Sequence, residues 1–470
     1  MKPRQLFTLF SATFLSVSAL LFCACTGKED APVAEPVEQA VTPEASALQQ
    51  ISSDLLSRYS APGDSLKKKA AEYLLAGLPN QWHYDTQMLD EVGIRKRVMD
   101  VKVIDADYLA ENIDYAFRAW ALPWAKSVSF EDFCRYLLPY KMGNEAPERW
   151  RAAVWEEYAS LRAEAVAEAG VTPSEVCCRV SAMVKKWYSF HYNDNYPVDA
   201  GYLKAKEIRA GTCIGASLMI LYPLRALGVC ATYEYVPQWG NRSGAHAWNA
   251  LFADGRLIPF SSIDLDPGRA KQEFVGVGRM IRKRAKVYRN DYQSGGSIDV
   301  TVEYIPTADL AVWGGLARKG TPQLMAFDNA KWHMVAIGRW RGRRAEFPAV
   351  ARGVAFLPVV QTENGGSALS WPLVVERSGR LKMFRPRVWR QTVRLTAKYP
   401  EDDSNAIFPG EHYELFYWRK GWVSLGVQQA TDTVLEYRKV PKGALLWLRN
   451  LDKGKQERIF TYENGKQIWY

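Results

Sequence analysis

Gly211-Thr212-Cys213-Ile214-Gly215-Ala216-Ser217 opens an apolar run that ends at Gly228, and Gly244-Ala245-His246-Ala247-Trp248-Asn249 follows it. Within the first run Ile214, Leu218, Leu221 and Leu224 recur at three- to four-residue spacing, which predicts a helix over 212–227. Thr212 suits the cap position before it, and Gly228 suits the stop. Pro223 lies inside; an interior proline costs ~3 kcal/mol in a helix, so a kink or an early end is expected there. Beyond the stop, 229–236 is rich in β-formers, and 247–252 and 257–260 flank Asp254-Gly255, a strong hairpin turn. Helix, strand, then a hairpin with His246 at its start is the order that decides the fold.

That order places two reactive side chains suggestively. A thiol in the first helical turn lies at the positive end of the helix dipole, which favours an anion. A helix amino terminus and a neighbouring imidazolium both lower a thiol pKa, and the thiolate is the nucleophile. A strand beside the helix would present the His246 imidazole to Cys213. A third polar group on the next strand would hold the ring and its tautomer, and backbone N–H groups at the helix start would form an oxyanion site. Taken singly, a cysteine is more often a small buried core residue and a histidine more often structural. Of the five histidines, at 83, 191, 246, 333 and 412, only His246 has this setting.

The stretch 210–268 resembles the transglutaminase-like superfamily, a papain-like cysteine fold, especially its bacterial lipoprotein members. The residues that carry the likeness are GTCIGAS at 211–217, LRALGV at 224–229, WGNRSGAHAWN at 239–249 and the DG turn. NIDYAFRAWALPWAK at 112–126, FEDFCRYLLPY at 130–140 and GNEAPERWR at 143–151 look like the helical leader of the same lipoproteins. YELFYWRKGWVSLG at 413–426 and the run 440–469 look like their carboxyl-terminal β module. The resemblance implies Cys213 as nucleophile and His246 as general base, later acid. It also implies an aspartate at the end of the next strand, a place that falls near Ser261 or Ser262 here. Asp264 is therefore the first candidate for the third role, Asp266 the second, and Asp254 is assigned to the turn. Trp239 is read as a groove wall or as core, and Asn241 and Arg242 as binders of a substrate amide or carboxylate. Trp248 shares the His246 face and is read as core packing beneath it.

The chemistry so implied is a cysteine-dependent hydrolase, a peptidase or amidase working through a thioacyl-enzyme on a peptide, glycopeptide or cell-wall peptide. Two alternatives stand beside it: a protein-crosslinking acyltransferase, and a non-catalytic envelope-binding lipoprotein that retains the fold. The displaced aspartate and the large aromatic β region favour the last of these; the Cys213/His246 pair opposes it. There is no EF-hand-like spacing and no Cys/His spacing suited to zinc, so no metal or other cofactor is expected.

The organisation around this centre reads as α+β. Lys2 and Arg4 precede an uncharged apolar stretch over 6–21 and then Ala24-Cys25, so 1–24 is expected to be a lipoprotein signal peptide with Cys25 lipidated. Phe22 departs from the usual residue of that motif, which makes Cys23 the fallback. Such an anchor holds a folded chain to a membrane, here the outer membrane of the cell envelope. Lys28-Glu29-Asp30 resembles the acidic tether signal of some surface-exposed Gram-negative lipoproteins. Residues 25–50, rich in Ala, Pro, Glu and Gln, are expected to be a flexible tether, with order beginning near Ile51. Helical periodicity then covers 51–195 as a helical amino-terminal region. A transglutaminase-like core follows at 196–295, a β-rich module at 296–400 and a carboxyl-terminal β-rich module at 401–470, both sandwich-like. Seventeen Trp and 24 Tyr suit β-rich cores or carbohydrate-facing surfaces alike.

The formal charge of +10 includes Lys2 and Arg4. The remaining basic runs, such as 95–97, 282–286 and 339–344, are short, and a nucleic-acid partner is not expected. Beyond the leader, Cys134, Cys177, Cys178, Cys213 and Cys230 make an odd number, so at least one thiol stays free; the adjacent Cys177 and Cys178 are read as helix packing.

Overall fold

The central helix forms as Cys213–Ala226, and Pro223 does not end it. The described residues of this computed structural model are 42–89, 95–191, 200–253, 255–261, 267, 281–315, 320–328, 331–363, 365–398, 406–453 and 458–470. The expected leader, Cys25 with its fallback Cys23, and nearly all of the tether therefore lie outside the described residues. Every residue of the helix from Gly215 to Ala226 is buried. Apolar burial contributes ~1.5–3 kcal/mol per large side chain, so Leu218, Ile220, Leu221 and Leu224 together exceed the ~3 kcal/mol cost of the proline. Gly228, at φ +69°, terminates the helix: the Val229 N–H returns to the Leu224 carbonyl at 2.9 Å. A Cβ at Gly228 would lie 2.2 Å from the Ala119 carbonyl oxygen, so close packing as well as backbone conformation demands glycine.

The helix packs on a five-stranded antiparallel sheet whose spatial order is Arg256–Phe260, His246–Ala253, Ala231–Val236, Tyr288–Asp291 and Gly296–Asp299. Its last strand lies beyond 295, so the core sheet runs past the boundary read from the sequence. After that strand Thr301–Tyr304 forms a short helix. Leu251, Phe260 and Ala231 join the helix residues in one core that also takes in Tyr202 from the short helix Tyr202–Ile208 and, from the amino-terminal helices, Trp150, Val180 and the junction residue Tyr158.

Those helices are Pro43–Arg58, Ser65–Gly77, Ala106–Trp120, Trp150–Glu157, Ala159–Ala167 and Pro173–Val184. Order therefore begins before Ile51. Trp150–Glu157 and Ala159–Ala167 are separated at Tyr158, whose φ −99° and ψ 18° leave the helical region. Asp64 stands at the cap position of Ser65–Gly77 without making a cap hydrogen bond. Phe130–Asp132 continues into a π-helical turn at Phe133–Leu137.

The helical reading of 51–195 also misses a β-hairpin, Trp82–Leu89 against Arg95–Met99. A buried charge cluster welds that hairpin to the helices. Asp100, fully buried, accepts from the His83 ring at 2.8 Å, from Lys141 Nζ at 2.9 Å and from the Tyr140 hydroxyl at 2.7 Å. The long-range partners explain the miss, since none of them is visible in local periodicity.

The carboxyl-terminal part is β-rich. Strands Thr307–Trp313, Arg339–Arg341 and Arg344–Ala351 form one sheet, and a six-stranded sheet built on Thr321–Asp328 and Ala355–Thr362 faces it across a shared core of Leu310, Phe347, Leu324 and Phe356. A five-stranded sheet around His412–Trp418 and Leu446–Asn450, with the pair Arg390–Leu395 and Leu435–Pro441, encloses a second core. Phe327, Trp418 and Trp447 belong to a third cluster that draws side chains from both modules. Pro43–Tyr470 forms one compact unit. Among the described residues no helix is long and apolar enough to cross a membrane.

Candidate active site

Cys213 occupies the first turn of the central helix, half-buried, with Thr212 at the cap position. The Thr212 backbone is extended, as a cap requires, but its side chain makes no cap hydrogen bond. The first-turn donors are left to other partners. The groups that act on the Cys213 thiol are the His246 ring and the backbone N–H groups of Ala247 and Ile214. Burial on its own would push this thiol up and is the largest single influence; the His246 hydrogen bond and charge, with the two backbone donors, outweigh it, and the thiol is held below its ordinary value. The other buried thiols go the opposite way: burial drives Cys134 up to about 12 and raises Cys230 as well. Among the described residues no cysteine is in a disulfide.

Helix and strand are held in register by Asn249. Its Nδ2 donates to the Ser217 carbonyl at 2.8 Å, one turn beyond Cys213 on the helix and three residues beyond His246 on the strand. Tyr188 fixes the helix start from behind. A Cβ at Gly211 would lie 2.1 Å from its hydroxyl, and one at Gly215 would lie 2.6 Å from it. Because Tyr188 is buried, it has little room to retreat. Gly215→Ala is expected to cost about 1–3 kcal/mol by overpacking and to slow alkylation of Cys213, read from urea unfolding and from iodoacetamide labelling; Ala216→Gly, one residue on, supplies the comparison for labelling.

His246 lies in an aromatic ladder. Its ring centroid is 5.7 Å from Trp239 at an interplanar angle of 26°, and 6.2 Å from Trp248 at 28°. Trp239 is buried, at 3% exposure, so of its two readings the structure favours packing against the imidazole over an open groove wall. Trp248 is fully buried with Val236, Val287 and Val300. Its indole N–H donates to the Tyr304 hydroxyl at 3.2 Å, and Tyr304 in turn bonds Glu234. Glu234, buried, pairs with Arg289 at 2.7 Å, and Arg289 also meets Glu303. Behind the imidazole there is thus a chain of satisfied polar groups that fixes Trp248. Sequence reading missed it because Glu234, Arg289 and Tyr304 come from three different elements.

The remaining candidates divide. Asn241 spends both ends of its amide on the neighbouring backbone: Nδ2 donates to the Ile281 carbonyl at 2.9 Å, and Oδ1 accepts from the Lys283 N–H at 2.7 Å. It shapes the loop before His246. Arg242 is half-buried in the same loop, and its guanidinium is pulled below its ordinary value first by burial and then by the like charge of Arg282. Asp264 and Asp266 lie outside the described residues, as does Asp254, so the third role is carried forward only as a proposal. Among the described residues no group of three or more His, Cys, Asp or Glu is placed to hold a metal ion.

No family model matches the chain, and no curated protein matches it. Among solved structures, a candidate cysteine protease from Cytophaga hutchinsonii matches at 14% identity with a TM-score of 0.20, over 26% of this chain and 39% of that one. Red sea bream transglutaminase matches at 10% identity with a TM-score of 0.25, over 87% of this chain and 79% of that one. Both are distant, low-identity matches, and the first spans well under half the length of the Cytophaga protein.

Proposed function

We propose that this chain is a cysteine-dependent hydrolase, a peptidase or amidase, with Cys213 as nucleophile and His246 as general base and acid. The observation that supports the reading is the place of Cys213 in the first turn of a helix tied by Asn249 to the strand that His246 opens, with the His246 ring lowering the thiol. The Cys213 thiolate attacks an amide carbonyl, forming a C–S bond. The His246 imidazolium gives its proton to the leaving nitrogen as the C–N bond breaks. His246 then takes a proton from water, whose oxygen attacks the thioacyl carbon; the C–S bond breaks and the thiolate returns. The Ala247 and Ile214 N–H groups, which act on the sulfur, are the proposed donors to a developing oxyanion. Asp264 is the proposed orienting group for His246, with Asp266 second, and Arg242 is the proposed contact for a substrate carboxylate. The proposed substrate is a peptide, glycopeptide or cell-wall peptide, met at the outer membrane by a chain anchored through Cys25.

Peptide-mapped alkylation tests the nucleophile. Iodoacetamide at mildly acidic pH is expected to label Cys213 well ahead of Cys134 and Cys230. Glutamine-containing peptides given with an amine-bearing dye are expected to release free amine without dye incorporation, and Cys213→Ala to abolish that release. Incorporation of the dye instead would assign transfer, and labelling of Cys213 no faster than Cys134 would leave a non-catalytic binding lipoprotein.

A further inference from the structure

The loop 239–244, between the strand Ala231–Val236 and the strand that His246 opens, carries Trp239 against the imidazole. Two side chains from the carboxyl-terminal β modules grip it. Arg458, at 3% exposure, donates from Nη2 to the Gly240 carbonyl at 2.9 Å and from Nη1 to the Phe327 carbonyl at 3.2 Å, so one guanidinium joins the loop to the strand Thr321–Asp328. At the end of that strand the Asp328 carboxylate accepts the Gly244 N–H at 3.2 Å through Oδ2. The Gly240 backbone fits closely against the first module as well: a Cβ there would lie 2.5 Å from Val354. Residues 84 and 218 positions downstream of their partners thus close the two ends of the loop that delivers His246.

We propose that Asp328 and Arg458 are positioning residues for the Cys213/His246 pair: through Gly240 and Gly244 the β modules hold Trp239 on the imidazole, and so hold the imidazole at the sulfur. Neither residue touches the reacting atoms. Both act through the loop, and the β region becomes part of the catalytic apparatus rather than a spacer. This rests on the reading of Cys213 and His246 given above, and its test is chosen to separate the two.

The test uses the full chain and needs no substrate. The rate of Cys213 alkylation by iodoacetamide is followed against pH by peptide mapping, with urea unfolding measured in parallel. Asp328→Ala and Arg458→Met are expected to move the midpoint of the profile upward by about one pH unit, a roughly tenfold slower reaction on its acid limb, because a displaced imidazole no longer stabilises the thiolate. Asp328→Asn, which keeps an acceptor for the Gly244 N–H, is expected to restore the wild-type profile. Thr461→Val removes the buried hydroxyl that donates to Glu463 at 2.7 Å, loosening the same module away from the loop, and is expected to lower stability without moving the profile. Wild-type profiles in folded Asp328→Ala and Arg458→Met, a Thr461→Val shift equal to theirs, or an Asp328→Asn variant as impaired as Asp328→Ala would each overturn the proposal while leaving the Cys213/His246 reading in place. A wild-type chain whose Cys213 reacts like an ordinary thiol overturns both.

Discussion

Replacing His246 with alanine is expected to lower amide hydrolysis by about 10²–10⁴-fold, the range that a positioned acid–base group supplies. The same substitution is expected to raise the Cys213 thiol. Two of the influences that lower it, the hydrogen bond and the charge of His246, vanish, while burial, the largest influence and the one that raises it, remains. The sign follows directly. In the wild type the thiolate persists below the ordinary thiol range; in His246→Ala the acid limb of alkylation moves to higher pH. The Ala247 and Ile214 N–H groups stay in place, so the sulfur keeps part of its stabilisation and the upward move has a ceiling. Rates of hydrolysis and of iodoacetamide labelling, each taken against pH, check the two halves. An unchanged labelling profile would separate the histidine from the thiol and remove the basis for nucleophilic catalysis. The double substitution with Cys213→Ala is expected to lose no more activity than Cys213→Ala alone, because two groups that act as one unit are not additive.

Asp100→Ala is expected to destabilise the fold by about 3–5 kcal/mol, the cost of leaving a buried charge without its partner. Asp100 is fully buried and Lys141 nearly so, and Lys141 would keep only the Trp82 carbonyl at 2.7 Å. Burial alone would raise the Asp100 carboxyl; the His83 hydrogen bond, the Lys141 charge and the Tyr140 hydroxyl overcome that and hold it below the usual carboxylate range. A depressed carboxylate contributes stability above its unfolded pKa of ~3.9, and that contribution is lost as pH falls through the lower folded value. The gap between wild type and Asp100→Ala in urea midpoint should therefore be full at neutral pH and should close in strong acid. A gap of constant size down to the acid transition would mean that the cluster is held by packing and not by charge. Asp100→Asn, which keeps the shape, is expected to fall between the two, since the amide still accepts one hydrogen bond but leaves Lys141 unneutralised.

These two substitutions probe different kinds of information in the chain. The central helix, its glycine stop, the strands that follow and the first-turn place of Cys213 were legible because each is written in local pattern: apolar spacing, a left-handed glycine, a run of β-formers. Pro223 was read as a local penalty, and locally it is one; full burial of the surrounding turns decided otherwise. Thr212 takes the expected cap position without a side-chain hydrogen bond, since backbone conformation at a cap does not oblige the side chain to turn inward. The hairpin Trp82–Leu89 with Arg95–Met99 escaped notice because Asp100, Lys141 and Tyr140 anchor it from a distance.

The sequence by itself determined an α+β chain with helices first, strands last, and a cysteine and a histidine on adjoining elements between them, because helix ends, turns and strand runs depend on near neighbours. Only the tertiary structure decided that Asn249 ties the Cys213 helix to the His246 strand, that Asn241 serves the loop backbone, that Trp239 is buried against His246, and that Asp328 and Arg458 reach back to Gly244 and Gly240. The physical reason is that a hydrogen bond or a stacked ring acts over a few ångströms of space whatever the separation along the chain, and no local pattern records which distant groups folding will bring within that range.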